Sequence, residues 1–263
     1  MAGKVLVITS GKGGVGKTTT AANLGTGLAK SGCKVVLIDA DIGLRNLDVV
    51  LGLENRIVYD IVDVVEENCR LKQAMIKDKR YNSLYLLPAA QTRDKTAVSP
   101  AEMKEVCEEL KKDFDYVIVD SPAGIEQGFR NSIAGADEAI VVTTPEVSAV
   151  RDADRIIGML EAEGVNDPTL IINRVRIDMM NKGDMIDIDD MIEILAVNLL
   201  GVVPEDEKIV VSTNRGEPVV LRDDSKAGEA FWNISRRLEG ESIPLISLED
   251  KFLDKLKRFV GLS

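Results

Sequence analysis

The chain contains no histidine. That absence removes imidazole metal ligands, Ser-His-Asp catalysis and the usual general base together. Any chemistry has to run on carboxylates, lysines, hydroxyls and a metal ion. Cysteine is scarce: Cys33, Cys69 and Cys107 are widely spaced, odd in number and form no Cys-x-x-Cys. Neither a disulfide framework nor a zinc site is expected, and packed or surface thiols in a reducing cytoplasm are. No apolar run reaches the ~18 residues that span a bilayer. Positive charge is also short. Against 44 acidic residues stand 33 basic ones, a net charge of −11, which lacks the cationic footprint of a general nucleic-acid binder. The N-terminus runs straight into an apolar segment, so no signal peptide is expected.

What is present is a 263-residue chain, 45% hydrophobic and 29% charged, enough for one domain with a sizeable core. Short apolar runs alternate with helical patterns. Strands are expected at Val5–Thr9, Lys34–Asp39, Ser83–Leu87, Tyr116–Asp120, Ala139–Thr143, Thr169–Asn173 and Leu199–Val203. Helices are expected at Lys17–Lys30, Pro100–Lys112, Ser148–Glu163, Ile188–Ala196, Glu205–Val211 and Ala227–Glu239. This alternation predicts an α/β domain with a mostly parallel, twisted sheet and helices on both faces. Functional residues then belong at the carboxyl ends of the strands.

The motifs obey that rule. Residues 11–18 read Gly-Lys-Gly-Gly-Val-Gly-Lys-Thr, a P-loop pattern between an apolar strand and a helix. Its backbone N–H groups are suited to wrap phosphates at a helix N-terminus. Lys17 is expected at the β- and γ-phosphates, and the Thr18 hydroxyl on Mg²⁺. Gly11, Lys12, Gly13, Gly14, Val15, Gly16, Lys17, Thr18 and Thr19 are thus the nucleotide-binding candidates. The second predicted strand ends in Asp39, which is placed to hold a water on Mg²⁺, and Asp41 follows it, placed to orient an attacking water. Aspartates at such positions also serve as helix caps. Tyr116–Val119 followed by Asp120 is a Walker B pattern, a second Mg²⁺-side carboxylate. Gly124, in the following Ser121-Pro122-Ala123-Gly124 turn, has no Cβ, so its N–H can approach a γ-phosphate.

An ordinary P-loop does not require the early lysine, Lys12. The Lys-Gly-Gly-x-Gly-Lys-Thr form resembles the deviant Walker A (MinD/ParA) family of ATPases, and the resemblance runs from Lys4 to the C-terminus. It implies a P-loop NTPase fold, ATP/ADP and Mg²⁺ as ligands, and an ATP-dependent homodimer in which Lys12 reaches the partner's phosphates. It assigns Asp41 to hydrolysis, Gly124 to switch II, and Asn173, Pro204, Glu205 and Asp206 to framing the adenine. Further stretches resemble the family's cell-division branch: residues 41–48, 51–60, 87–95, 120–126, 145–152 and 214–219. That branch implies placement of the division septum, a MinC-like inhibitor as partner and a MinE-like activator.

The last segment carries separate information. Leu248, Phe252, Leu256, Phe259 and Val260 form one apolar stripe, with Leu253 at its border. Residues 251–263 carry a charge of +3 while the other 250 residues sum to −14. A cationic amphipathic end on an acidic protein reads as a helix lying in an anionic membrane surface, with Phe252, Leu253, Leu256, Phe259 and Val260 as the membrane-binding residues. The competing reading is a terminal helix docked on the protein's own core. Pro244 marks the expected boundary between an ATPase domain, 1–243, and a linker plus helix, 244–263. The expected location is the cytoplasm and the cytoplasmic face of the cell membrane. Alternatives are a DNA-partition ATPase, against which the acidic balance and the tail argue, and a nucleotide-gated membrane scaffold that barely hydrolyses alone. An electron-transfer iron protein would need cysteines placed to share a cluster, which these are not.

Overall fold

A computed structural model describes residues 3–246. The amphipathic tail, with Phe252, Leu253, Leu256, Phe259 and Val260, lies outside the described residues. The sheet has eight strands: β1 (Lys4–Thr9), β2 (Val35–Asp39), β3 (Ile76–Lys77), β4 (Leu84–Leu87), β5 (Tyr116–Asp120), β6 (Glu138–Thr143), β7 (Thr169–Val175) and β8 (Asn198–Pro204), in the order β3-β4-β2-β5-β1-β6-β7-β8. The pairings are parallel except β3 with β4.

Alternation along the strands divides the core. Val5, Val7, Val36, Ile38, Val117 and Val119 face one way, toward the helices Pro100–Leu110, Gln127–Ile133, Val147–Ala162 and Ile188–Leu195. Leu6, Ile8, Val35, Leu37 and Ile118 face the other way, toward the helices Lys17–Lys30 and Lys226–Leu238. Both faces are covered, which is why the strands read as continuous apolar runs rather than as alternating ones.

From β1 the chain crosses to β2 on one side of the sheet, and from β5 it crosses to β6 on the other. The reversal opens a crevice beside the carboxyl end of β1, where a doubly wound sheet puts its ligand. Register aligns Ile8, Asp39 and Asp120 across that edge.

Departures from the sequence-based expectation have local causes. β3 was not anticipated: it is a two-residue antiparallel edge strand, too short to carry a period. The expected helix at Glu205–Val211 begins instead at Lys208 and runs to Thr213. Glu205 N–H donates to the Val175 carbonyl, and the Asp206 carboxylate accepts from Lys208 N–H, so these residues form the strand exit and the turn. At the other end, Arg237 donates to the carbonyls of Leu200, Ile243 and Pro244. Ile246 packs against the second core.

Candidate active site

The loop after β1 is shaped by what surrounds it. Gly16 precedes the helix Lys17–Lys30 with φ of 101°, a left-handed conformation that any Cβ would strain. A Cβ there would also collide with Asn173 Nδ2, and one at Gly11 would run into the backbone of Asp152 on the helix Val147–Ala162. The two glycines therefore let the loop lie against the end of β7 and against a neighbouring helix. Asn173, buried, donates from Nδ2 to the Val15 carbonyl at 2.7 Å. It braces the loop, and its Oδ1 has no hydrogen-bond partner.

The loop turns Lys17 inward, where it is only 8% exposed. Burial pulls its ammonium below the usual lysine value, and the charges of Asp120 and Asp41 oppose that pull. Asp120 is pushed up to about 8, by burial first and by the charge of Asp39 second, against a hydrogen bond from the Thr18 hydroxyl and the charge of Lys17. Asp39 rises to about 6 through burial, despite three backbone N–H donors: Asp41 at 3.0 Å, and Asn46 and Leu47 both at 3.1 Å. Burial also raises Asp41, against the charges of Lys95 and Lys17. All three carboxyls are raised chiefly by burial, with the charge of neighbouring carboxylates adding to it at Asp120 and Asp39.

Oδ1 of Asp41 and Oδ1 of Asp120 are buried without a hydrogen-bond partner. Hard carboxylate oxygens beside a hydroxyl suit Mg²⁺. Among the described residues no group of three or more His, Cys, Asp or Glu side chains is placed to hold a metal. Mg²⁺ needs no such cage, because it keeps waters and substrate phosphate oxygens as ligands. The residues Thr18, Asp39 and Asp120 fit the ion.

Asp39 has a further task. The N–H groups it accepts open the helix Leu47–Leu51, so the cap reading and the metal-side reading fall on one carboxylate. At the helix's far end the Leu51 carbonyl accepts from Arg80, which also donates to the Gly216 carbonyl, both at 2.8 Å. Arg80 is fixed in turn by the buried Asp78.

The remaining candidates are more dispersed. Lys12 does not enter the pocket of Lys17; its Nζ lies 3.1 Å from Glu146 Oε2 and 3.2 Å from Ser148 Oγ. Gly124, with φ of 92°, donates its N–H to the Ser10 carbonyl at 3.3 Å. Thr19 gives its carbonyl to Asn23 at 2.7 Å. Asp206 accepts from the Ser225 hydroxyl at 2.6 Å, and Glu205 pairs with Arg176 at 3.6 Å. Pro204, at the end of β8, pairs in register with Val175 on β7. Sequence reasoning missed Glu146, Ser148 and Lys95. Their contacts with the loops come through tertiary structure, and the only signal was that each falls inside a stretch resembling the cell-division branch.

The family described as CbiA, the CobQ/CobB/MinD/ParA nucleotide binding domain, matches residues 6–219. The chain is 57% identical to the septum site-determining protein MinD of Bacillus subtilis over 265 residues, 99% of each sequence. It also resembles MinD in the MinC:MinD cell division protein complex of Aquifex aeolicus, at 51% identity and a TM-score of 0.86 over 93% of this chain and 98% of that one. A third relative is the septum site-determining MinD of Pyrococcus horikoshii, solved with Mg-ADP, at 31% identity and a TM-score of 0.82 over 90% of this chain and 96% of that one.

Proposed function

Because the chain belongs to the CobQ/CobB/MinD/ParA nucleotide-binding family, alongside its septum site-determining MinD members, we propose that it is an Mg²⁺-dependent ATPase that dimerises around ATP and positions the division septum. In this reading it binds the cytoplasmic face of the cell membrane through its C-terminal segment and recruits a MinC-like inhibitor there. The observation that carries the chemistry is the single inward lysine, Lys17, facing Asp41 and Asp120 at the carboxyl edge of the sheet. The Aquifex relative, 51% identical, was solved in complex with MinC, which supports the choice of partner.

The division of labour follows from the geometry. Loop N–H groups at the start of the helix Lys17–Lys30 receive the phosphates. Lys17 stabilises charge on the transferred phosphoryl oxygens. Thr18, Asp39 and Asp120 would hold Mg²⁺, which when bound would neutralise phosphoryl charge. Asp41, raised by burial, is a better proton acceptor than an exposed aspartate and orients the attacking water. Asn173 acts on the base side through the loop it braces, with Pro204, Glu205 and Asp206 on the neighbouring strand exit.

Lys12 is held outside the pocket by Glu146 and Ser148, and in a dimer it would leave them for the partner's phosphates. An exposed ion pair of this kind is worth only about 0–1 kcal/mol, so the exchange costs little. Lys12→Ala is expected to bind ATP normally as a monomer, yet to form few ATP-dependent dimers and to hydrolyse ATP slowly. Sedimentation with ATP reads this, and wild-type dimers with wild-type turnover would refute the cross-subunit role.

Among the described residues no helix is long and apolar enough to cross a membrane, so attachment rests on the segment 247–263. Wild-type protein is expected to cosediment with anionic liposomes in ATP and to ignore DNA. Phe259→Glu puts a charge in the apolar stripe and removes an aromatic side chain worth about 1.5–3 kcal/mol when fully buried. Because a dimer carries two tails, liposome binding should fall by more than about tenfold while solution dimers persist. ATP-dependent DNA binding without lipid binding would favour the partition reading instead.

A further inference from the structure

The metal side of the pocket draws on separate elements. Thr18 lies in the first turn of the helix Lys17–Lys30, and Asp39 closes β2. An ion held by both needs them at one separation, and contacts beyond the ligands are what orient ligands. On the Asp39 side, Oδ2 is aimed by the N–H groups of Asn46 and Leu47, at 3.1 Å each. Both N–H groups belong to the start of the helix Leu47–Leu51, so the carboxylate points where that helix puts its first turn. The helix is five residues long, with too few turns to hold a place of its own. On the Thr18 side, the buried Asn23 donates from Nδ2 to the Thr19 carbonyl at 2.7 Å and accepts from Val220 N–H at 2.8 Å. The first turn of the helix Lys17–Lys30 is thereby tied to the segment 216–220.

One side chain joins the two sides. Arg80 donates from Nη2 to the Leu51 carbonyl and from Nη1 to the Gly216 carbonyl, both at 2.8 Å. The two backbones meet there with no side chain between them: a Cβ on Gly216 would stand 2.5 Å from Gly52 Cα. Arg80 also donates to the buried Asp78, from Nε to Oδ1 at 3.2 Å and from Nη2 to Oδ2 at 2.7 Å. A carboxylate and two carbonyls at once suit the fixed fork of a guanidinium rather than the point charge of an ammonium. Arg80 belongs to the turn between β3 and β4, at the amino end of β4, whereas Asp39 stands at the carboxyl end of β2. It can serve the chemistry only through other groups. We propose that Arg80 is a positioning residue for the metal side of the site: by holding the end of the helix Leu47–Leu51 against the segment 216–220, it sets where Asp39 stands relative to Thr18. The proposal rests on the Mg²⁺-nucleotide reading above and adds to it a residue from the opposite edge of the sheet.

The test titrates labelled ADP into the full-length protein, first in EDTA and then at rising Mg²⁺. ADP keeps ATP-dependent dimers out of the reading. In Arg80→Met the affinity in EDTA is expected to stay within about twofold of wild type, because the phosphate loop is untouched, while the Mg²⁺ concentration at half effect rises about tenfold. Thermal unfolding without nucleotide accompanies each variant. Arg80→Met leaves the Asp78 carboxylate buried and unpaired, so Asp78→Asn/Arg80→Met, which removes both charges, is measured beside it and should show the same rise. A folded variant with wild-type Mg²⁺ dependence would overturn the proposal. So would an equal loss of ADP affinity with and without Mg²⁺, which marks general damage to the pocket. Early melting of both variants would overturn it too, by making the pair a determinant of the fold alone. Wild-type protein that binds ADP no more tightly in Mg²⁺ than in EDTA would strike the Mg²⁺ reading and the proposal with it, and that result is told apart because it needs no variant.

Discussion

Lys17→Ala is expected to abolish ATP binding. Lys17 is the buried cation of the site, held inward by Asp41 and Asp120, and it is the only loop lysine that the fold turns into the pocket. Removing one partner of a buried charge arrangement costs about 3–5 kcal/mol, which is roughly two to four orders of magnitude in affinity. The loss works twice. The phosphates lose a donor, and the carboxylates of Asp41 and Asp120 then face the incoming polyanion without compensation. Part of the penalty will be absorbed by protonation, because burial already raises both acids. Equilibrium binding of labelled ATP is the measurement. Wild-type affinity in Lys17→Ala would remove the P-loop assignment, and with it the reading of the whole edge. Thermal unfolding without nucleotide serves as the control, since a variant that melts far below wild type would not test binding.

Asp41→Ala is expected to do the opposite to binding and nearly as much to turnover. Asp41 follows β2, half-buried, with Oδ1 unpartnered and with Lys17 and Lys95 as the cations nearby. Taking it away relieves repulsion of ATP, so affinity should hold or improve. In a chain without histidine no imidazole can take over the water, and loss of a positioned proton acceptor costs about 10²–10⁴-fold. The variant should therefore collect as an ATP-bound dimer. Single-turnover phosphate release resolves the point: a wild-type rate would move the task to another group or to the substrate's own phosphate. The rate should be read beside a fold control, because the backbone carbonyl of Asp41 also receives the N–H groups of Leu44 and Arg45.

The helix Lys17–Lys30 was legible to the residue and the central strands to within one residue, because strands covered on both faces announce themselves as unbroken apolar runs. The helices Leu47–Leu51, Ile61–Val65 and Gln127–Ile133 were not. Such short helices hold too few turns for a period, and they form where caps and neighbours select them: Asp60 and Asp63 close a reciprocal box around the start of Ile61–Val65. At the site, Lys17 and Thr18 could be read from the P-loop pattern, and Asp39, Asp41 and Asp120 from their position at or just after strand ends. Asn173 was assigned to the adenine side through the resemblance alone, and its bond to the loop was not foreseen. Its contact with Val15 depends on how β7 exits, through a register shift and Arg174 with φ of 56°, and nothing in the local sequence fixes that exit. The Lys12 pairing with Glu146 joins residues 134 apart. Only a built fold shows that the start of the helix Val147–Ala162 comes beside the phosphate loop.

The helix Leu47–Leu51 carries a mechanical consequence. It is a strut with both ends pinned: Asp39 grips its first N–H groups, and Arg80 grips its last carbonyl together with that of Gly216. A segment so short cannot absorb a displacement by bending. The Asp39 carboxylate in the pocket and the turn around Gly216 are therefore joined through one short helix, on which Val49 stands 48% exposed. The pocket and an outer turn thus share a brace whose two ends are fixed by hydrogen bonds rather than left to a loop.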